Sequence, residues 1–179
     1  CEALKDRKGL GAIVRNRLLH DGLVVIVGHP GGSEMYEEAC VVVSNHSWRE
    51  ILKQRDEKCK RRNEEFRQRH DADLQISPGV HMTNEYLLQS ANRYEEQRCL
   101  PYDTTLFSGA SGSPVFDLNG NIVAMHTQGY LLDVEGRKCS VMEFGVQFNA
   151  MCENLRERNL LEQFFPNYDL EHHEERMDK

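Results

Sequence analysis

The run Gly109-Ala110-Ser111-Gly112-Ser113-Pro114 leads straight into Val115-Phe116-Asp117-Leu118-Asn119-Gly120 and then Asn121-Ile122-Val123-Ala124-Met125. Asn-Gly between two apolar runs is the strongest short-range hairpin signal, so this stretch is predicted to be strand, tight turn and strand. Ser111 therefore stands on a glycine-flanked turn directly ahead of a hairpin. Acyl transfer needs a serine exposed in this way, with backbone N–H groups free to receive the developing oxyanion. Gly109 permits the backbone geometry that aims its own N–H and that of Ser111 at one point, while Gly112 and Ser113 keep bulk away from the attacked carbonyl. A Gly/Ser-rich turn can occur in any β protein, so the flanking elements decide its meaning. An α/β-hydrolase elbow wants Gly-x-Ser-x-Gly with a helix starting directly after the serine. Here Ser113 holds the fifth position, Pro114 follows, and strands come next. That context excludes the elbow.

The remaining chain reads as short strands around this centre. Gly22 to Gly28 is apolar, β-branched and closed by glycines, and His29-Pro30-Gly31-Gly32 turns it. Ala39 to Ser44 is a second strand, Val80 to Met82 a short candidate after the Ile76–Gly79 turn, and Ser140 to Val146 another. Residues 83–98 are helical or irregular. Between Trp48 and Asp73 the chain is dense in Lys, Arg and Glu, which predicts a solvated helical insertion with i,i+4 ion pairs. Met151, Leu155, Leu160, Leu161 and Phe165 recur at helical spacing, so residues 148–165 are predicted to form a C-terminal amphipathic helix ended by Pro166. The predicted organisation is an all-β barrel domain over 22–165, preceded at 1–21 by the end of a first barrel and an interbarrel linker, and followed by a disordered acidic tail at 166–179.

Composition narrows the function classes. A net charge of -7 and a pI near 5.6 leave no global basic field for nucleic acid. The basic cluster Lys58-Cys59-Lys60-Arg61-Arg62 is followed at once by Glu64 and Glu65, and reads as one face of a mixed-charge helix. No apolar run approaches bilayer-spanning length. The six cysteines are scattered without a CxxC pair, which suits reduced thiols, and no ligand spacing suggests zinc or any other metal. No cofactor motif is present. The chain opens on Cys1, which suggests a fragment of a longer protein, the alternative being a processed N-terminal nucleophile.

Taken together, Gly-Ala-Ser-Gly-Ser-Pro-Val-Phe, the hairpin and Ile-Val-Ala-Met-His-Thr-Gln-Gly resemble the nucleophile turn and S1-lining strand of trypsin-like proteases, and Gly22 to Gly31 resembles the first strand of their second barrel. More narrowly, GHPGG, GASGSPVFD, GNIVAMHTQG and MEFG look like the vertebrate intracellular trypsin-like proteases called "family with sequence similarity 111". The fold this implies is the second six-stranded barrel of a chymotrypsin-like protease, with a charged helical insertion at 48–73 and a C-terminal helix.

The resemblance implies Ser111 as nucleophile, Gly109, Ala110 and Ser111 as the oxyanion hole, and Thr105, His126, Thr127, Gln128 and Gly129 along the substrate-binding S1 pocket. Ala110 stands where activatable secreted enzymes carry an aspartate, so zymogen cleavage of that type is not expected. Thr105, six before the nucleophile, is uncharged and implies an apolar or aromatic P1 residue. His126 lies after the nucleophile, whereas this fold orders base, aspartate and serine. A specificity role and a structural role both remain open for it. In the template enzymes roughly 140 residues separate base from nucleophile and about 90 separate the aspartate from it. The triad His and Asp are therefore expected upstream of residue 1, and the isolated chain is expected to hydrolyse peptides only at trace rate. Further implied are protein or peptide substrates, nuclear and also cytoplasmic localisation, work near chromatin and DNA replication or repair, and DNA contact through regions upstream of this chain. A barrel that has lost its base and acts as a protein-binding module is the alternative.

Overall fold

Leu23-Val-Val-Ile-Val27 alternates inward and outward residues, and its β-branched side chains favour the extended backbone. Val24 and Ile26 are wholly buried, and Leu23 on the opposite face is exposed. The computed structural model that shows this describes residues 13–15, 19–44, 46–69, 98–105, 109–134 and 137–165. Its strands are β1 (Leu23–Gly28), β2 (Tyr36–Val42), β3 (Cys99–Asp103), β4 (Pro114–Phe116), β5 (Ile122–Val134) and β6 (Arg137–Gln147). They close into a six-stranded barrel in the order β1-β2-β3-β6-β5-β4, with every strand pair antiparallel. Closure leaves no unpaired sheet edge and encloses one interior. Val24, Ile26, Cys40, Val42, Leu100, Tyr102, Val115 and Val123 fill it together with Ala110. This is the chymotrypsin-like barrel that the motifs imply.

The Asn119-Gly120 hairpin forms where predicted. Asp117 Oδ1 accepts the N–H groups of Asn119 (2.9 Å) and Asn121 (2.8 Å), and Gly120 takes a positive φ of 76°. Strand β5 runs well past the predicted Met125, because the long β6 pairs with it from Ala124↔Gln147 to Val134↔Arg137. Strand β3 has no counterpart in the sequence reading. Pro101 sits in its middle and removes a ladder donor, which argues against a strand. The strand persists because Cys99, Leu100, Pro101 and Tyr102 are all buried.

Helix α1 (Trp48–Arg69) occupies the charged insertion, but it is not merely solvated. Trp48 and Leu52 are buried in a cluster with Tyr130, Val141, Met142 and Phe144, and the Trp48 and Phe144 rings meet edge to face at 5.4 Å. Arg55 forks onto Asp103 and also donates to Val141 O (2.9 Å), which pins the helix to the end of β3 and to β6. Asp56 is 1% exposed and pairs with Lys60. Mixed charge concealed a narrow docking stripe.

The predicted helix at 148–165 is two helices, α2 (Phe148–Glu157) and α3 (Leu161–Phe164). Asn159 takes a φ of 55°, and Leu160 N–H reaches back to Leu155 O (2.8 Å), the pattern of a left-handed helix stop. The strand candidate at 80–82, most of the irregular stretch before Arg98, and the tail from Pro166 lie outside the described residues. No described helix is long and apolar enough to cross a membrane.

Candidate active site

The turn before β4 is seated on the turn that joins β1 to β2. Gly109 has φ 84°, and a Cβ on it would lie 2.8 Å from Gly31 N and 3.3 Å from Gly31 Cα. The His29–Gly32 turn therefore fits only a glycine here, for both reasons. Ala110 is wholly buried. Ser113 Oγ lies over Gly28, 2.2 Å from where a Cβ would be, so Gly28 leaves the room that Ser113 fills. Gly112, with φ 90°, completes the reversal.

These constraints leave Ser111 exposed at the crest. Its hydroxyl donates to Thr127 O at 2.8 Å. Gly112 N–H donates to His126 O (2.8 Å), and His126 N–H donates to Ser113 O (2.8 Å). The backbone N–H groups of Gly109 and Ser111 have no hydrogen-bond partner among the described residues. An exposed serine whose own N–H, and that of the glycine two residues before it, are free among the described residues has the donors that an oxyanion would need.

Thr127, Gln128 and Gly129 lie on β5 beside this turn, at a bulge between His126 and Gln128. Thr127 Oγ1 donates to Phe144 O (3.1 Å), and Gly129 faces Glu143 across the ladder. His126 points into the barrel, 1% exposed, with Nδ1 2.7 Å from Tyr102 OH. Burial pushes its pKa down to about 4. The imidazole is thus turned inward onto Tyr102 and held in its neutral form. Thr105 is engaged elsewhere: its N–H (3.1 Å) and hydroxyl (2.9 Å) both donate to the Glu38 carboxylate. It borders a cleft of about 440 Å³ between α1 and the barrel, lined also by Arg55, Lys58, Arg62 and Asp103, and that cleft does not include Ser111.

Sequence reading missed Glu38, Tyr102 and Glu143. Glu143 left one signal, a single carboxylate in the apolar run Val141-Met142-Glu143-Phe144-Gly145. The described residues contain no group of His, Cys, Asp and Glu that could hold a metal ion. Cys40, Cys59, Cys99 and Cys152 are free thiols, and burial pushes Cys40 and Cys99 up to about 11.

Comparison with known proteins bears on this geometry. No protein-family model matches the chain. Over 139 residues, 77% of its length, it is 32% identical to the protein named serine protease FAM111A of Mus musculus. The chain is a homologue of the FAM111 proteins. The human protein named serine protease FAM111B is 26% identical over 142 residues. The matched stretches amount to 21% of the mouse FAM111 protein and 17% of the human one, so the chain spans about a fifth of their length. Both FAM111 relatives are named as serine proteases, in keeping with a chymotrypsin-like barrel that carries an exposed serine.

Proposed function

We propose that this chain carries the nucleophile half of a serine endopeptidase, with Ser111 as the nucleophile. The observation that carries the reading is the exposed Ser111 on its glycine turn, with its own N–H and that of Gly109 left without a partner among the described residues. Ser111 Oγ attacks the scissile carbonyl, and the two N–H groups receive the oxyanion of the tetrahedral intermediate. Ala110 sets the turn by burying its methyl group in the barrel. The Thr127–Gly129 edge of β5, with the backbone of His126 beside it, frames the substrate side chain.

The base is a histidine upstream of these residues, oriented by an upstream aspartate, in the chain order of this fold. The inward, neutral His126 supports a base from elsewhere. The substrates are proteins or peptides. Nuclear action near chromatin, with DNA held by upstream regions and some protein in the cytoplasm, belongs to the same reading. It is checked by imaging the tagged full-length protein in dividing cells.

Fluorophosphonate labelling of the full-length protein tests the chemistry. Labelling that disappears in Ser111→Ala is the expected result. A folded wild-type protein that takes no label overturns the reading and leaves a protease-fold binding module.

A further inference from the structure

Inside the barrel, beneath the nucleophile turn, runs a line of polar side chains that the chemistry above does not use. Tyr102 OH lies 2.7 Å from His126 Nδ1, and His126 Nε2 stands 3.7 Å from Glu143 Oε2. Ser140 Oγ donates to Glu143 Oε1 at 2.7 Å. His126 and Glu143 are each 1% exposed, and His126 Nε2 has no hydrogen-bond partner among the described residues. A buried carboxylate facing an unsatisfied imidazole is costly, so its location asks for a reason.

The location is beside the β5 bulge, which lies between His126 and Gln128. A Cβ on Gly129 would lie 1.9 Å from Glu143 Oε2 and 2.0 Å from its Cδ, so the carboxyl group occupies the place a side chain would take. From there it bears on Gly129 and reaches toward His126. The backbone between those two residues is where the nucleophile turn is attached. His126 exchanges hydrogen bonds with Gly112 and Ser113, and Thr127 O accepts the Ser111 hydroxyl.

We propose that Glu143 is a positioning residue for Ser111, bracing the bulge from inside the barrel so that the Thr127 carbonyl holds the serine hydroxyl in place. The proposal rests on the protease reading of Ser111. Burial pushes Glu143 up to about 7, so near neutral pH much of it is an uncharged acid, which packs 3.7 Å from His126 Nε2 without the cost of a buried charge. Glutamine at this position keeps the shape and the acceptor for Ser140. Alanine leaves Gly129 and His126 without the brace.

The test compares fluorophosphonate labelling rates of full-length wild type, Glu143→Ala and Glu143→Gln, well below their unfolding temperatures. Glu143→Ala is expected to slow labelling about tenfold or more, since small misplacements of a reacting group carry large rate penalties, and Glu143→Gln to restore the rate to within about threefold. A folded Glu143→Ala protein labelled at the wild-type rate overturns the proposal, and so does a Glu143→Gln protein as slow as the alanine variant. Should Glu143→Ala not fold, Ser140→Ala, which removes the hydrogen bond orienting the carboxyl, carries the test: slower labelling supports the brace and an unchanged rate overturns it. If the wild type takes no label, the protease reading has failed separately. The brace is then decided by the His126 ring resonances in protein labelled with ¹⁵N-histidine, which Glu143→Ala must shift and Glu143→Gln must restore.

Discussion

Across β5 and β6, two buried side chains with opposite titration behaviour face each other. Glu143 binds its proton more tightly in the folded state, since burial lifts it from 4.5 to about 7 against the opposing pull of the Ser140 hydroxyl. The stability linked to it is fully present below pH 4.5 and is lost as pH rises to about 7. His126 is pushed from 6.5 down to about 4, so its linked stability is present above 6.5 and is lost as pH falls through 4. Between pH 4.5 and 6.5 the two slopes oppose and nearly cancel. Glu143→Gln removes one of them. Its stability is expected to climb with pH between 4.5 and 6.5, where in the wild type the two slopes offset each other. Urea midpoints across that range check this, and a level Glu143→Gln profile would show that His126 is not held neutral by the fold. None of this was readable residue by residue. His126 drew notice for its nearness to Ser111, but its inward orientation depends on Tyr102, a partner from a strand that Pro101 concealed.

At the scale of elements, the nucleophile turn is held by contacts that glycines permit. Gly109 is the sharpest case, because its positive φ and its approach to Gly31 both exclude a side chain. Gly109→Ala is expected to slow Ser111 labelling by about a hundredfold, comparable to losing one oxyanion donor, because the displaced turn misdirects its N–H groups. Circular dichroism should still report a folded barrel, and a wild-type labelling rate in the variant would remove Gly109 from the site. The turn and its hairpin were legible because Gly-x-Ser-Gly-Ser-Pro and Asn-Gly act over a few residues. The C-terminal helix was legible as an amphipathic pattern, yet its stop at Asn159 was not, since asparagine is also tolerated within helices. The docking of α1 was hidden because Trp48, Ile51 and Leu52 supply only a short apolar stripe at one end of a strongly charged helix.

Over the whole molecule, α1 and the barrel share one packed cluster. Trp48 is the chain's only tryptophan, and it is buried there against Phe144, so its fluorescence reports the docking of the insertion. Leu52→Ala, at a site 2% exposed, is expected to destabilise the protein by about 3 kcal/mol through lost burial and the cavity left behind. Tryptophan fluorescence and far-ultraviolet circular dichroism should shift to lower urea together. A fluorescence transition that separates from the backbone transition would mean that α1 undocks on its own. The sequence by itself determined where the strands β1, β4 and the start of β5 lie, where the serine turn stands, and which proteins the chain is related to, because hairpin chemistry, β-branched runs and contiguous motifs are local. Only the tertiary structure decided that β3 forms, that α1 docks, that Thr105 serves Glu38, and that Glu143 stands behind Gly129. Each of those depends on partners far apart in the chain, and a burial or a hydrogen bond of that kind exists only once the barrel has closed.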